Sequence, residues 1–161
     1  KHQDIMENIH DNFKHEKLYA YQKLNKDWTK SLLILHHWIN DEPTDDMELR
    51  FGAQPGDRYN LTRNAGQLAY VVREIARYWK YEVLVDELDI LRQRIKHGVS
   101  EKYLDLITIK DVGRKRAKIL YKYGFHDRVD LRKASLEKLA EIDKIGKTIA
   151  KSIKSQVEKV A

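Results

Sequence analysis

Four cations, Arg114, Lys115, Arg116 and Lys118, follow Gly113 within five residues, and Lys147, Thr148 and Lys151 follow Gly146 in the same way. A glycine lets another chain's backbone approach closely. If a helix starts at that glycine, its unpaired N–H groups and its dipole favour an anion, and the neighbouring lysines and arginines add charge. The chemistry implied is the holding of a phosphate, not a bond-making step. We assign no catalytic residue and no metal ligand.

The two clusters belong to copies of one pattern. "LITIKDVGRKRAKIL" aligns with "LAEIDKIGKTIAKSI", so that Ile109, Val112, Gly113 and Ala117 match Ile142, Ile145, Gly146 and Ala150, 33 residues on. Each copy reads as a short helix, a tight turn and a second helix. This is the helix-hairpin-helix pattern, which usually runs h-x-G-h-G. Asp111 and Lys144 stand at its first glycine. Such a turn holds a nucleic-acid phosphate without reading bases. The candidate contacts are Val112, Gly113, Arg114, Lys115, Arg116 and Lys118 in the first copy, and Ile145, Gly146, Lys147, Thr148 and Lys151 in the second. The carboxylate of Asp111 repels an anion, which makes the second turn electrostatically cleaner. The competing interpretation is a pair of αα-hairpins with a solvated basic face.

Charge distribution favours the phosphate. Residues 1–97 hold fifteen basic and sixteen acidic side chains, whereas residues 98–161 hold sixteen basic and nine acidic. The excess positive charge, +7, therefore lies in the last 64 residues, and nucleic acid is the first partner to expect.

The elements that must position these residues are helical. A chain of 161 residues that is 42% hydrophobic and 35% charged is enough for one good core, or for a medium and a small one, under a polar surface. Seven glycines and two prolines leave long helices uninterrupted. From Glu16 to Asn40, apolar residues recur every three or four positions as a helical core face. Residues 1–15 are polar and His-rich and read as a weakly ordered lead-in or a short helix. Thr44 is placed as an N-cap and Gly52 as the stop of a short helix. "PGDRYNLTRNAGQLAYVVREIARYWK" is the longest helix expected. Its apolar side is Leu61, Ala65, Leu68, Val72, Ile75, Ala76 and Trp79; a polar stripe of Asn60, Arg63, Gln67, Tyr70, Glu74 and Arg77 runs along it. By spacing alone that stripe is a continuous polar line, as on a solvated helix face. Glu82 to His97 form the next helix, stopped by Gly98, and Ser100 is placed as the cap that follows. Asp127 or Ser135 caps a connecting helix between the hairpins. The architecture expected is all-α: a helical bundle with one long helix (residues 1–97), then a small tandem helix-hairpin-helix domain (98–161).

The run "RIKHGVSEKYLDLITIKDVGRKRAKILYKYGF" closely resembles the C-terminal part of archaeal superfamily-two DNA repair helicases. These are the Hjm-type, replication-fork-associated enzymes related to metazoan polymerase-theta-like helicases. The "PGD…L" helix and the "LLILHHWIND" lead-in are similar to that family's ratchet region. The resemblance implies a role in which a ratchet helix lies across a translocating strand and a terminal domain grips the exiting strand. It implies partners as well: single-stranded or forked DNA, the motor domains of the same parent chain, and replication or repair proteins. ATP and Mg would belong to those motor domains, since no G-x-x-x-x-G-K-[ST] loop occurs here. No cofactor is expected in this fragment, as which the start at Lys1 also reads. The family commonly places an Arg and a Trp at the positions of Asn60 and Gln67, which bond but do not stack. Lys118 stands where an Arg is frequent, and loses its bidentate fork. The family places the protein in the archaeal cytoplasm, with the nucleoid.

Two rivals remain. A base-excision glycosylase also uses such turns, but "HDRVDLR", with Asp127 and Asp130, does not match its catalytic pattern well. A protein-interaction or regulatory module is compatible with DNA binding. His36 and His37 are adjacent and cannot both face one metal from a helix, cysteine is absent, and "DEPTDDMELR" lacks EF-hand spacing. Trp28, Trp38 and Trp79 lie on apolar faces and are assigned to the core.

Overall fold

The computed structural model describes residues 26–158, so the expectations for residues 1–15, for residues 16–25 of the Glu16–Asn40 face and for the side chain of Trp28 lie outside it. The chain divides into two compact units, residues 1–33 and 34–161, and the side-chain contacts and the cleft described below lie in the second.

Among the described residues the fold is all-α. The helices are α1 (Lys26–Ile39), α2 (Thr44–Phe51), α3 (Pro55–Tyr78), α4 (Glu82–His97), α5 (Leu104–Ile107), α6 (Arg114–Lys122), α7 (Arg128–Lys133), α8 (Leu136–Ala140) and α9 (Gly146–Glu158), with a 3-10 turn at Glu101–Tyr103. None is long and apolar enough to cross a membrane.

Local signals account for most of the boundaries. The longest helix, α3, opens with Pro55 after Gln54, whose backbone N–H donates to the Asp57 carboxylate at 3.1 Å. Helix α2 begins at Thr44, but Pro43 holds the cap position and makes no side-chain cap bond. Ser100 has the extended backbone of a cap without its side-chain bond. Asp127 and Ser135 both cap: each accepts a backbone N–H three residues on, at 2.8 and 3.2 Å, so two short helices stand where one connecting helix was expected.

Helices α3 and α4 form an antiparallel pair joined by Trp79–Tyr81, with Gly66 facing Ile95 and Arg73 meeting Asp89. The face of α3 that meets α4 is built from small residues. Ala69 and Ala76 are buried, while Leu68, Val72, Ile75 and Trp79 of the expected apolar side are exposed. Small side chains let two helices approach closely, and the larger ones are left on the outer side. Trp79, 64% exposed, is therefore not a core residue.

The hairpin region has a closed core of its own. The repeat places equivalent residues in equivalent burial: Leu106 with Leu139, Ile109 with Ile142, Val112 with Ile145, Ala117 with Ala150, and Leu120 with Ile153 are all buried. Burying each of the larger side chains contributes roughly 1.5–3 kcal/mol. Ala117 and Ala150 are fully buried, which leaves no room for a longer side chain at either position.

Candidate nucleic-acid interface

Two structures collect the cations. The first is a cleft of about 1130 Å³ along the start of α3 and the end of α4. Arg58, Arg63, Arg92 and Lys96 line it, with the rings of Trp38, Tyr59 and Tyr70 and the amides of Gln67 and Gln93, and among the described residues no carboxylate does. Cations interleaved with aromatic rings suit a single strand, because phosphates take the charge and bases stack on the rings. The polar stripe thus contributes Arg63, Gln67 and Tyr70 to the cleft, whereas Asn60 is exposed on the same helix outside its lining.

Sequence reading missed Arg58, Tyr59, Arg92, Gln93, Lys96 and Trp38. A local signal existed in "RQRIK", residues 92–96, which is basic and ends a helix. Averaging over residues 1–97 concealed it.

Trp38 lines the cleft and links it to the first hairpin. Its indole N–H donates to the carbonyl of Ile95 at 2.6 Å. The guanidinium of Arg58 lies 5.0 Å from its ring centroid and that of Arg114 lies 4.9 Å away. Gly98 follows directly, with φ of 64°; a Cβ there would sit 2.4 Å from the Trp38 ring, so only glycine fits. Trp38 is neither a simple core residue nor a free platform.

The charges between α3 and α4 are paired. Arg73 donates to both carboxylate oxygens of Asp89, at 2.6 and 2.7 Å, and to Glu74 at 2.7 Å. Hydrogen bonding with Arg73 holds the Asp89 carboxyl below the usual range and raises the guanidinium of Arg73. Burial pushes His97 down, helped by Lys96.

The second structure is the pair of hairpin turns. Asp111 and Lys144 are both left-handed, with φ of 69° and 61°, so the backbone keeps the glycine conformation that the sequence lacks. One side chain spans the two: Arg116 donates to the carbonyls of Lys144 and Asp111, at 2.9 Å each. Helix α9 clasps the first turn. Ser152 donates to the Asp111 carboxylate at 2.8 Å, and Gln156 accepts the Lys110 N–H at 2.8 Å. Asp111 therefore has a partner within the chain.

Arg114 and Lys118 turn away from the first hairpin. Both reach the half-buried residue Asp41, at 2.9 Å each, and Arg114 also donates to the carbonyl of Glu42 at 2.9 Å. Lys115, Lys147, Thr148 and Lys151 are exposed, and their side chains make no hydrogen bond or ion pair among the described residues. Val112 and Ile145 are buried beneath the turns. The glycines differ. Gly113 is extended, with φ of −83°, and Gly146 is left-handed, with φ of 63°.

An all-α chain with a tandem helix-hairpin-helix and a basic aromatic cleft is the class that this geometry defines. Residues 1–98 match the family model for archaeal helicase domain 4, and residues 103–159 match that of the SAM-like helix-hairpin-helix tandem. The chain belongs to the archaeal helicase domain 4 family. It is 36% identical over 125 residues to the ATP-dependent DNA helicase Hel308 of Pyrococcus horikoshii, a match covering 77% of this chain and 18% of that relative. It is 38% identical over 125 residues to Hel308 of Pyrococcus abyssi, with the same shares. With Hel308 of Caldivirga maquilingensis it shares 35% over 133 residues, 81% of this chain and 18% of the relative. The match thus spans under a fifth of these relatives' length.

Proposed function

We propose that the chain is a non-catalytic DNA-binding part of an ATP-dependent superfamily-two helicase. It contacts single-stranded or branched DNA through phosphates and assists translocation and its regulation. In this reading residues 1–97 are the ratchet-like domain and 98–161 the DNA-binding hairpin domain. ATP and Mg act in the motor domains of the parent, in the archaeal cytoplasm.

The observation that carries this reading is the cleft lined by Arg58, Arg63, Arg92 and Lys96 beside three aromatic rings, without a carboxylate among the described residues. A strand lying there meets Tyr70 and Gln67 with its bases and the cations with its phosphates. In the hairpins, Lys115, Lys147, Thr148 and Lys151 are the available contacts beside the two glycine turns. Arg116 fixes the two turns, while Arg114 and Lys118 are held on Asp41. The exposed outer side of the helix pair, with Leu68, Ile75, Trp79 and Val83, suits contact with the motor domains of the same parent.

The test is salt-titrated binding of a labelled oligothymidine. Affinity at low salt, falling with a log–log slope of about −0.7 for each phosphate contact, supports the reading. Binding that ignores salt, or no binding at low salt, sinks it.

A further inference from the structure

One carboxylate reaches the cleft cations from outside the lining. Asp89 lies one turn before Arg92 on α4, and Arg92 donates to its Oδ1 across 3.4 Å. The same carboxylate is held by Arg73 through two short bonds of 2.6 and 2.7 Å. Arg73 is only 14% exposed, while Arg92 is 35% exposed and sits 4.9 Å from the centroid of the Tyr70 ring in the cleft. Asp89 thus has a firm partner away from the cleft and a loose one inside it.

We propose that Asp89 is a positioning residue that limits the grip of the cleft by sharing Arg92 with the bound strand. Arg73 occupies both oxygens of the carboxylate, so Arg92 is held weakly enough to be drawn onto a phosphate. A full pairing of Asp89 with Arg92 would remove that cation from the strand. No pairing would leave Arg92 fully to the strand. The inference rests on the cleft being the strand site. It adds the device that sets how tightly the strand is held there.

The experiment measures fluorescence anisotropy of a labelled oligothymidine over a salt series, with the whole chain. Asp89→Asn keeps the shape and an acceptor for Arg73 but loses the charge. It is expected to bind roughly three- to tenfold tighter, with a slope steeper by up to about 0.7. Arg73→Gln frees Asp89 to pair fully with Arg92 and is expected to weaken binding. Damage to the helix pair would weaken both variants, so opposite signs separate positioning from a structural role. If Asp89→Asn fails to fold, the Arg73→Gln arm is read in an Arg92→Gln background, where the weakening must vanish. In that background Asp89→Asn must also lose its effect. Equal or weaker binding by Asp89→Asn, or an effect that survives without Arg92, overturns the proposal. If Arg92→Gln alone changes neither affinity nor slope, the cleft reading falls as well.

Discussion

The two hairpin turns occupy the same register and rest on matched buried residues, yet they present different surfaces. Around Gly113, three of four following cations are engaged within the chain: Arg114 and Lys118 on Asp41, and Arg116 on the two turn carbonyls. Around Gly146, Lys147 and Lys151 remain exposed without partners among the described residues. A repeat thus preserves a core while dividing labour on the outside. The richer cluster holds the molecule together, and the sparser one stays available to an anion.

Asp41→Ala tests the holding role and carries the largest expected effect. Removing the carboxylate leaves Arg114 and Lys118 without their counter-charge, at a cost of about 2–3 kcal/mol, since these side chains are only partly exposed. Urea denaturation measures it. A loss under about 0.5 kcal/mol would mean that the first cluster does not hold the fold.

Serine at the two glycines sharpens the contrast. Gly146→Ser places a side chain at a left-handed position and is expected to destabilise by about 1–2 kcal/mol. Gly113→Ser falls on an extended cap position with no atom within 4 Å of the new Cβ, and is expected to change stability by less than about 0.5 kcal/mol. Thermal melting ranks the pair, and an equal cost at both positions would contradict the difference in backbone.

The smallest effect expected is on pH dependence. Burial lowers His97 from its ordinary 6.5, so the unfolded chain takes up that proton first and stability begins to fall as pH drops below 6.5. Asp89 is lowered chiefly by Arg73, so its contribution is present above 3.8 and is lost as pH falls through that value toward the folded one. Melting temperature against pH is expected to show both declines. Asp89→Asn should remove only the more acidic one.

The hairpin core was legible because a repeat names its own buried positions: whatever packs in one copy packs in the other. Part of the cleft was legible too, since Arg63, Gln67 and Tyr70 share one face of a helix by periodicity alone. Arg92 and Lys96 were not, because a single sequence does not say which face of the next helix lies beside that stripe. The apolar side of α3 was misjudged for the same reason. Large side chains suggested the core, but the close packing of Gly66, Ala69 and Ala76 against α4 decided it. The partner of Arg114 lies 73 residues away in a turn with its own left-handed Asp41, and spacing carries no hint of such a pair.

The division of the hairpin cations is tested most directly by comparing salt dependence in two double variants on one labelled single strand. Lys147→Ala with Lys151→Ala is expected to flatten the log–log slope by up to about 1.4, at about 0.7 per phosphate lost, and to leave the melting temperature in place. Arg114→Ala with Lys118→Ala is expected to lower the melting temperature and keep the slope. The reverse pattern, a flatter slope from the Arg114 and Lys118 pair and none from Lys147 and Lys151, would contradict the account.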